Sequence, residues 1–320
     1  MTSSRSEPTP KGSLSRSVVI SLEDILTTFS LILSFGLALL FPRSFWPGIS
    51  TGLGRLHSRL KSPDLSKTIE TVNQAGMEIT ESQLVRHLLA GTYLENIEAM
   101  SEYLGFRGSP HIKVNGLQHV KQALERGRGV IFWCPPVCGA QAVLLRAYSD
   151  LGMPVTRLQS IVHPLSSTRF GRRVLNPLRT GVETRHLASI VLLEPGKDQM
   201  AIMKMMRLLH NNEIVMVAAI GSGQDPLEAP LLGGTLRLAK GVPAMAAATQ
   251  SAIIPTWFSL RGKSGYVLEF DPPLSAACAD SDRDPLQNYA DLFAERLERK
   301  LCNDPVHWRG WIMGHTWSPN

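Results

Sequence analysis

Two cysteines four positions apart, Cys134 and Cys138, bracket a Pro-Pro-Val loop in the segment Val-Ile-Phe-Trp-Cys-Pro-Pro-Val-Cys-Gly-Ala-Gln. A thiolate is a nucleophile, and its pKa falls at the start of a helix, where Cys138 is predicted to lie. No base accompanies it in the local sequence, so a buried, inert thiol is the competing reading. As metal ligands the pair supplies only two groups, and no metal site is expected. His163, in the pair His163-Pro164, follows the next predicted strand. An imidazole at a strand end can act as a general base, or simply be satisfied by backbone groups. Arg169, Arg172 and Arg173, continued by Arg179 and Arg185, form a basic stretch suited to bidentate contacts with phosphate or carboxylate. The segment Gly221-Ser222-Gly223-Gln224-Asp225 lacks the Lys-Ser/Thr ending of a phosphate loop. Ser222 also has no G-x-S-x-G frame, so this segment reads as a plain loop. His186, His210, His307 and His315 read as surface or helix-end residues.

The elements that must position these groups alternate. Helical spacing runs from 77 to 104, with Gly105 as its stop, and again over 117–126. A strand follows at 129–134, then a helix near 138–150 and a strand around 154–162. Further strands are predicted at 189–193, 213–220, 252–259 and 265–270, with a helix over 198–210. Asp284-Pro285 opens a final helix carrying Leu286, Tyr289, Phe293, Leu297 and Leu301 at helical spacing. Alternation of this kind predicts an α/β sandwich with a mostly parallel sheet, and the near-continuous apolar strands agree.

Residues 1–17, rich in Ser, Pro, Thr and bases, read as a disordered tail. Residues 25–41 form an uncharged run of 17, at the lower edge of what crosses a bilayer. Pro42 ends it, and Arg43, Trp46, Arg55 and Arg59 follow, which suits an interfacial anchor over 18–60. Residues 61–320 make up the α/β body. Charged residues are 19% of the chain and the net charge is +6. That balance favours anionic lipid over nucleic acid, for which no basic-aromatic alternation is present. The four scattered cysteines predict no disulfide framework.

Several segments then fall in one order: the N-terminal run closed by Pro42-Arg43, Ile112-Lys113-Val114-Asn115-Gly116 leading to Gly127-Arg128-Gly129-Val130-Ile131, and Asn212-Glu213-Ile214-Val215. Ala229-Pro230-Leu231-Leu232-Gly233-Gly234, Gly241-Val242-Pro243, Asp271-Pro272-Pro273-Leu274 and Asn303-Asp304-Pro305-Val306-His307-Trp308 complete the order. Together they resemble the bacterial lipid A late acyltransferases, within the lysophospholipid acyltransferase superfamily, over roughly residues 20–315. The resemblance implies a glycerolipid acyltransferase-like sandwich at the cytoplasmic face of the inner membrane. It implies transfer of a fatty acyl group from acyl carrier protein or coenzyme A to a lipid or glycolipid hydroxyl, with no resident cofactor. The family's His-x-x-x-x-Asp/Glu pair, in which the His takes the attacking hydroxyl's proton and the carboxylate orients it, matches Pro136 and Gln141 here. The family's Arg-Pro pair is His163-Pro164, and His119 falls on a framework position. The resemblance also implies that the region of Arg169, Arg172 and Arg173 faces phosphorylated lipid or the acidic carrier. Two expectations follow. In one the chain is a transferase in which His163, or failing that Cys138, replaces the missing base. In the other it is a catalytically inactive relative that binds acyl chains, lipid or carrier, with a scaffold that only docks carrier as a weaker variant.

Overall fold

Val130-Ile131-Phe132-Trp133-Cys134 contains no charged residue, and in the computed structural model of the chain all five are buried. A strand apolar on both faces requires a layer on each side, and the fold supplies both. The structure describes residues 19–60, 63–105, 110–136, 141–160, 166, 168–194, 198–221, 225–261, 265–275, 284–313 and 316–320.

The strands are β1 (His111–Asn115), β2 (Val130–Cys134), β3 (Val155–Ser160), β4 (Ser189–Leu193), β5 (Ile214–Ala218), β6 (Leu227–Leu231), β7 (Gly234–Leu238), β8 (Ala252–Arg261), β9 (Gly265–Phe270) and β10 (Trp317–Pro319). The helices are α1 (Leu22–Leu40), α2 (Trp46–Leu60), α3 (Pro63–Gln74), α4 (Glu81–Leu84), α5 (Ala90–Leu104), α6 (Leu117–Glu125), α7 (Gln141–Asp150), α8 (Asn176–Arg185), α9 (Asp198–His210), α10 (Gly241–Thr249) and α11 (Pro285–Asn303). Seven strands form the main sheet in the order β1-β9-β8-β2-β5-β3-β4. The five from β8 to β4 are parallel, whereas β9 runs antiparallel to β8 and carries β1 parallel to itself. The architecture is therefore α/β, with a mostly parallel mixed sheet, flanking helices and an N-terminal apolar helix.

One face of the sheet packs on α6 and α7, around Phe132, Tyr148 and Phe270. Ring centroids there lie 5.2 Å and 5.1 Å from Phe132. The other face packs on α9, α10 and α11, where Phe293 meets Trp133 at 4.4 Å and Trp257 at 5.7 Å. β2 starts from a turn that only glycine fits. Gly129 has φ +69°, and a Cβ there would fall 2.7 Å from the Leu209 carbonyl oxygen. Its amide donates to Asn212 Oδ1 at 3.0 Å.

Several expectations are refined. The helical run over 77–104 is interrupted: Thr80 caps α4 in a reciprocal arrangement with Gln83, and a widened turn over Val85–Leu89 separates it from α5. Gly105 ends α5 in the left-handed conformation, as its position predicts. The segment Ala229–Gly234, read only as a motif, is most of a β-hairpin. Leu232 (φ 50°) and Gly233 (φ 69°) turn β6 back onto β7, and β10 completes a second, three-stranded sheet. Pro230 and the glycine pair hide these strands from propensity arguments. The tail 1–17 lies outside the described residues, which begin at Val19.

Candidate functional site

The connections of the parallel strands leave β2 and β5 in opposite directions. From β2 the chain passes through α7 to β3, beyond β5; from β5 it passes to β8, on the far side of β2. The carboxyl ends of β2 and β5 therefore form the topological switch point, where open α/β sheets build their ligand crevices. Cys134, Pro135 and Pro136 lie at the end of β2, and Ala219 continues β5 by donating its amide to the Cys134 carbonyl at 2.7 Å. The Pro136 carbonyl accepts from the Arg309 amide at 2.9 Å, which fastens the C-terminal segment to this loop.

Among the described residues at the switch point, Cys134, Pro136 and Gln141 offer no free nucleophile or base. Cys134 is buried, its sulfur 3.9 Å from the Tyr148 hydroxyl, and burial pushes its thiol up to about 12. At neutral pH it is a closed thiol. Pro136 has no titratable atom. Gln141 is the first residue of α7, and its own groups are already engaged. Its backbone amide donates to Glu95 Oε2, and the next amide, of Ala142, donates to Glu95 Oε1 at 3.2 Å. A carboxylate from α5 thus occupies the positive end of α7, the place where backbone donors would otherwise meet a developing oxyanion. With its amide oriented to satisfy its neighbours, the Gln141 side-chain oxygen accepts from both Arg157 guanidinium nitrogens, one at 2.7 Å. Arg157 rises from the middle of β3 and also lies 3.5 Å from Glu183 of α8. Burial lowers the pKa of its guanidinium, with the charge of Glu183 opposing that shift.

A second polar cluster lies further along α5. Glu98 accepts from Arg43 Nη2 at 2.8 Å and from the Tyr266 hydroxyl at 3.0 Å. Glu102 accepts from Arg146 at 2.7 Å and lies 3.1 Å from His186 Nε2. Burial raises the Glu98 pKa, and the Arg43 charge acts against that rise. Glu95, Glu98 and Glu102 follow one another at helical spacing. That spacing is present in the sequence, superimposed on the apolar period of the same helix. Arg157 gave no signal at all, since its partners Gln141 and Glu183 come from two other elements.

His163 and Cys138 lie outside the described residues, as do Ser222 and His315. His186 caps α8 and is engaged by Glu102, while His210 ends α9 in solvent. Arg179 pairs with Glu183 at 3.0 Å, and Arg185 donates to the Glu102 carbonyl. Arg169, Arg172 and Arg173 behave differently: all three are exposed, on the turn that precedes α8. They sit beside the start of α1, where the Phe170 amide donates to the Val19 carbonyl at 3.0 Å. Two surface depressions lie elsewhere. One, of about 670 Å³, is between the β6–β7 turn and α11; the other, of about 350 Å³, is at the amino ends of β2 and β8. Neither is lined by Pro136 or Gln141. Among the described residues no group of His, Cys, Asp and Glu side chains is placed to hold a metal ion. No protein-family model matches this chain, and no curated protein matches it.

Proposed function

We propose that this chain is a membrane-associated protein that binds an acyl chain or lipid on an acyltransferase-like sandwich, without performing the transfer its sequence resembles. The observation that carries the loss of transfer is the engagement of Gln141; the acyl- and lipid-binding part rests on the resemblance and on the exposed apolar face of the N-terminal helix. At the position that matches the family's acidic residue, the side chain is a neutral amide held against Arg157, and the α7 amides are closed by Glu95. General-base catalysis at the switch point needs a free proton acceptor within hydrogen-bond reach of the attacking hydroxyl. Pro136 supplies none, and the Cys134 thiol stays protonated. The setting implied by the resemblance, the cytoplasmic face of a bacterial inner membrane with acyl carrier protein as a partner, belongs to the same proposal. Acyl transfer remains the rival, and it requires His163 or Cys138 as the working group.

The test uses the full chain with acyl carrier protein and coenzyme A thioesters as donors and glycolipid or lysophospholipid acceptors, under single-turnover conditions. The expected result is no acyl transfer, together with binding of acyl carrier protein or acyl lipid that weakens as salt rises. Transfer that disappears in His163→Ala or Cys138→Ala would replace this reading with the transferase. Absence of both transfer and binding would remove the lipid-directed reading altogether.

A further inference from the structure

α1 is apolar over most of its circumference, and its larger apolar side chains are mainly on the side turned away from the body. Its inward face carries Asp24, Ser34 and Ala38, all buried, with Leu31 and Leu37 packed against Leu94, Ile97 and Met100 of α5. Its outward face carries Leu22, Leu26, Phe29, Ile32 and Leu40, with Leu22 71% and Leu40 73% exposed, and Phe45 extends it. Large apolar side chains are normally the ones turned inward, and a contiguous exposed stripe of them marks an interaction surface.

The inward face is tied down along its length. Asp24 Oδ2 accepts from Thr168 Oγ1 at 2.6 Å, Asn96 of α5 donates to Ser30 at 3.3 Å, and Arg43 reaches Glu98 just past the C-terminal end. α5 packs beside α1. A helix of 19 residues is about 28 Å long, close to the thickness of a hydrocarbon core. Standing upright in a bilayer, α1 would therefore drag α5, with Glu95, Glu98 and Glu102, to the same depth. Charged side chains at that depth are strongly disfavoured. Lying in the interface, α1 buries only its outer stripe and leaves α5 on the water side.

The charge beside the stripe identifies the occupant. Arg169, Arg172 and Arg173 adjoin the start of α1, and none has a carboxylate partner among the described residues. Bases at the rim of an apolar stripe match anionic headgroups above hydrocarbon. Residues 1–18, mostly Ser, Thr, Pro and bases, are too polar to cover the stripe themselves. We propose that α1 and the Arg169–Arg173 turn form a monotopic seat, with α1 lying in the plane of an anionic bilayer surface. This deepens the membrane part of the reading above, and it rests on that reading only for the kind of surface involved.

The test is co-sedimentation of the full chain with vesicles of phosphatidylcholine alone or with phosphatidylglycerol added. Binding is expected to favour the anionic vesicles. Arg169→Gln, Arg172→Gln and Arg173→Gln together should weaken it by roughly 100-fold, at about fivefold per base. The double variant Phe29→Glu, Ile32→Glu should abolish binding to both vesicle types while leaving the circular dichroism spectrum unchanged. For orientation, single probes introduced by Leu22→Cys and Leu40→Cys, on a Cys138→Ser, Cys278→Ser, Cys302→Ser background in which only the buried Cys134 remains, should report equal, shallow depths in quenching by brominated lipid. Probes at opposite leaflets would overturn the in-plane geometry. A dimer that persists with vesicles present, and is lost in the Phe29→Glu, Ile32→Glu variant, would assign the stripe to a second copy of the chain instead. Failure here leaves the acyl-binding and transfer assays unaffected, so the two proposals fail separately.

Discussion

At the buried end of β2 the Cys134 sulfur faces the Tyr148 hydroxyl, and its thiol is held near 12 against an ordinary value of 9.0. Above pH 9 the unfolded chain gives up this proton while the folded chain keeps it. The folded state then binds more protons, so its stability falls as pH rises from about 9 towards 12. Between pH 8 and 10.5 this one group should remove about 2 kcal/mol. Urea titrations of the parent and Cys134→Ala at pH 8 and 10.5 check this. The parent should lose more stability than the variant across that interval, and equal losses would mean that the thiol ionises freely in the fold. The sequence places Cys134 beside a prolyl loop and leaves nucleophile and inert thiol both open. Burial on both faces of the sheet decides between them, because no local pattern says that Tyr148 and Phe132 will close over it. The same holds for Gln141. Its type is plain in the sequence, but its partners Glu95 and Arg157 lie 46 and 16 positions away.

At the scale of elements, α5 is the helix on which the polar interior depends. Glu102 collects Arg146 from α7 and His186 from the end of α8, and Arg43 comes within 3.9 Å from the turn after α1. Its side chain is 3% exposed, while Arg146 keeps about a fifth of its side chain in solvent. Glu102→Ala should therefore cost about 3 kcal/mol, the low end of what breaking a buried pair costs, since Arg146 can recover some hydration. Denaturant unfolding measures this, and a loss below about 1 kcal/mol would mean that the network is a solvated surface cluster. Elements with a strong period were legible in advance: α9 and β4 match their predicted bounds, and α11 starts where Asp284 and Pro285 say it should. The hairpin β6–β7 and the helix α10 were not. Their sequences are short, contain Pro and Gly, and become regular only against β10, α11 and the sheet.

Over the whole molecule, the C-terminal segment joins the two sheets. Trp317 lies in β10 beside Gly234 of β7, its indole nitrogen donates to the Leu231 carbonyl at 2.9 Å, and its ring meets Trp311 at 5.4 Å. Any side chain at Gly234 would fall 2.5 Å from that indole. A few residues upstream, the Arg309 amide reaches the Pro136 carbonyl at the switch point. Trp317→Ala should cost about 3–5 kcal/mol, as for other large buried aromatics. Hydrogen exchange should localise the added opening to β6, β7 and the loop at Pro136. Exchange that rises only at the last few residues would show that this segment does not brace the site.

By itself the sequence determined the α/β class and most of the regular elements. Those properties are written in local periodicity and residue type, which survive without long-range partners. Only the tertiary structure decided that Glu95 closes the start of α7, that Arg157 takes up Gln141, and that α1 turns its few polar residues inward and leaves a stripe of large apolar side chains outward. Each of these depends on which side chains from distant parts of the chain arrive at one place. Hydrogen bonds, charge and burial act over a few ångströms in space, whatever the separation in sequence.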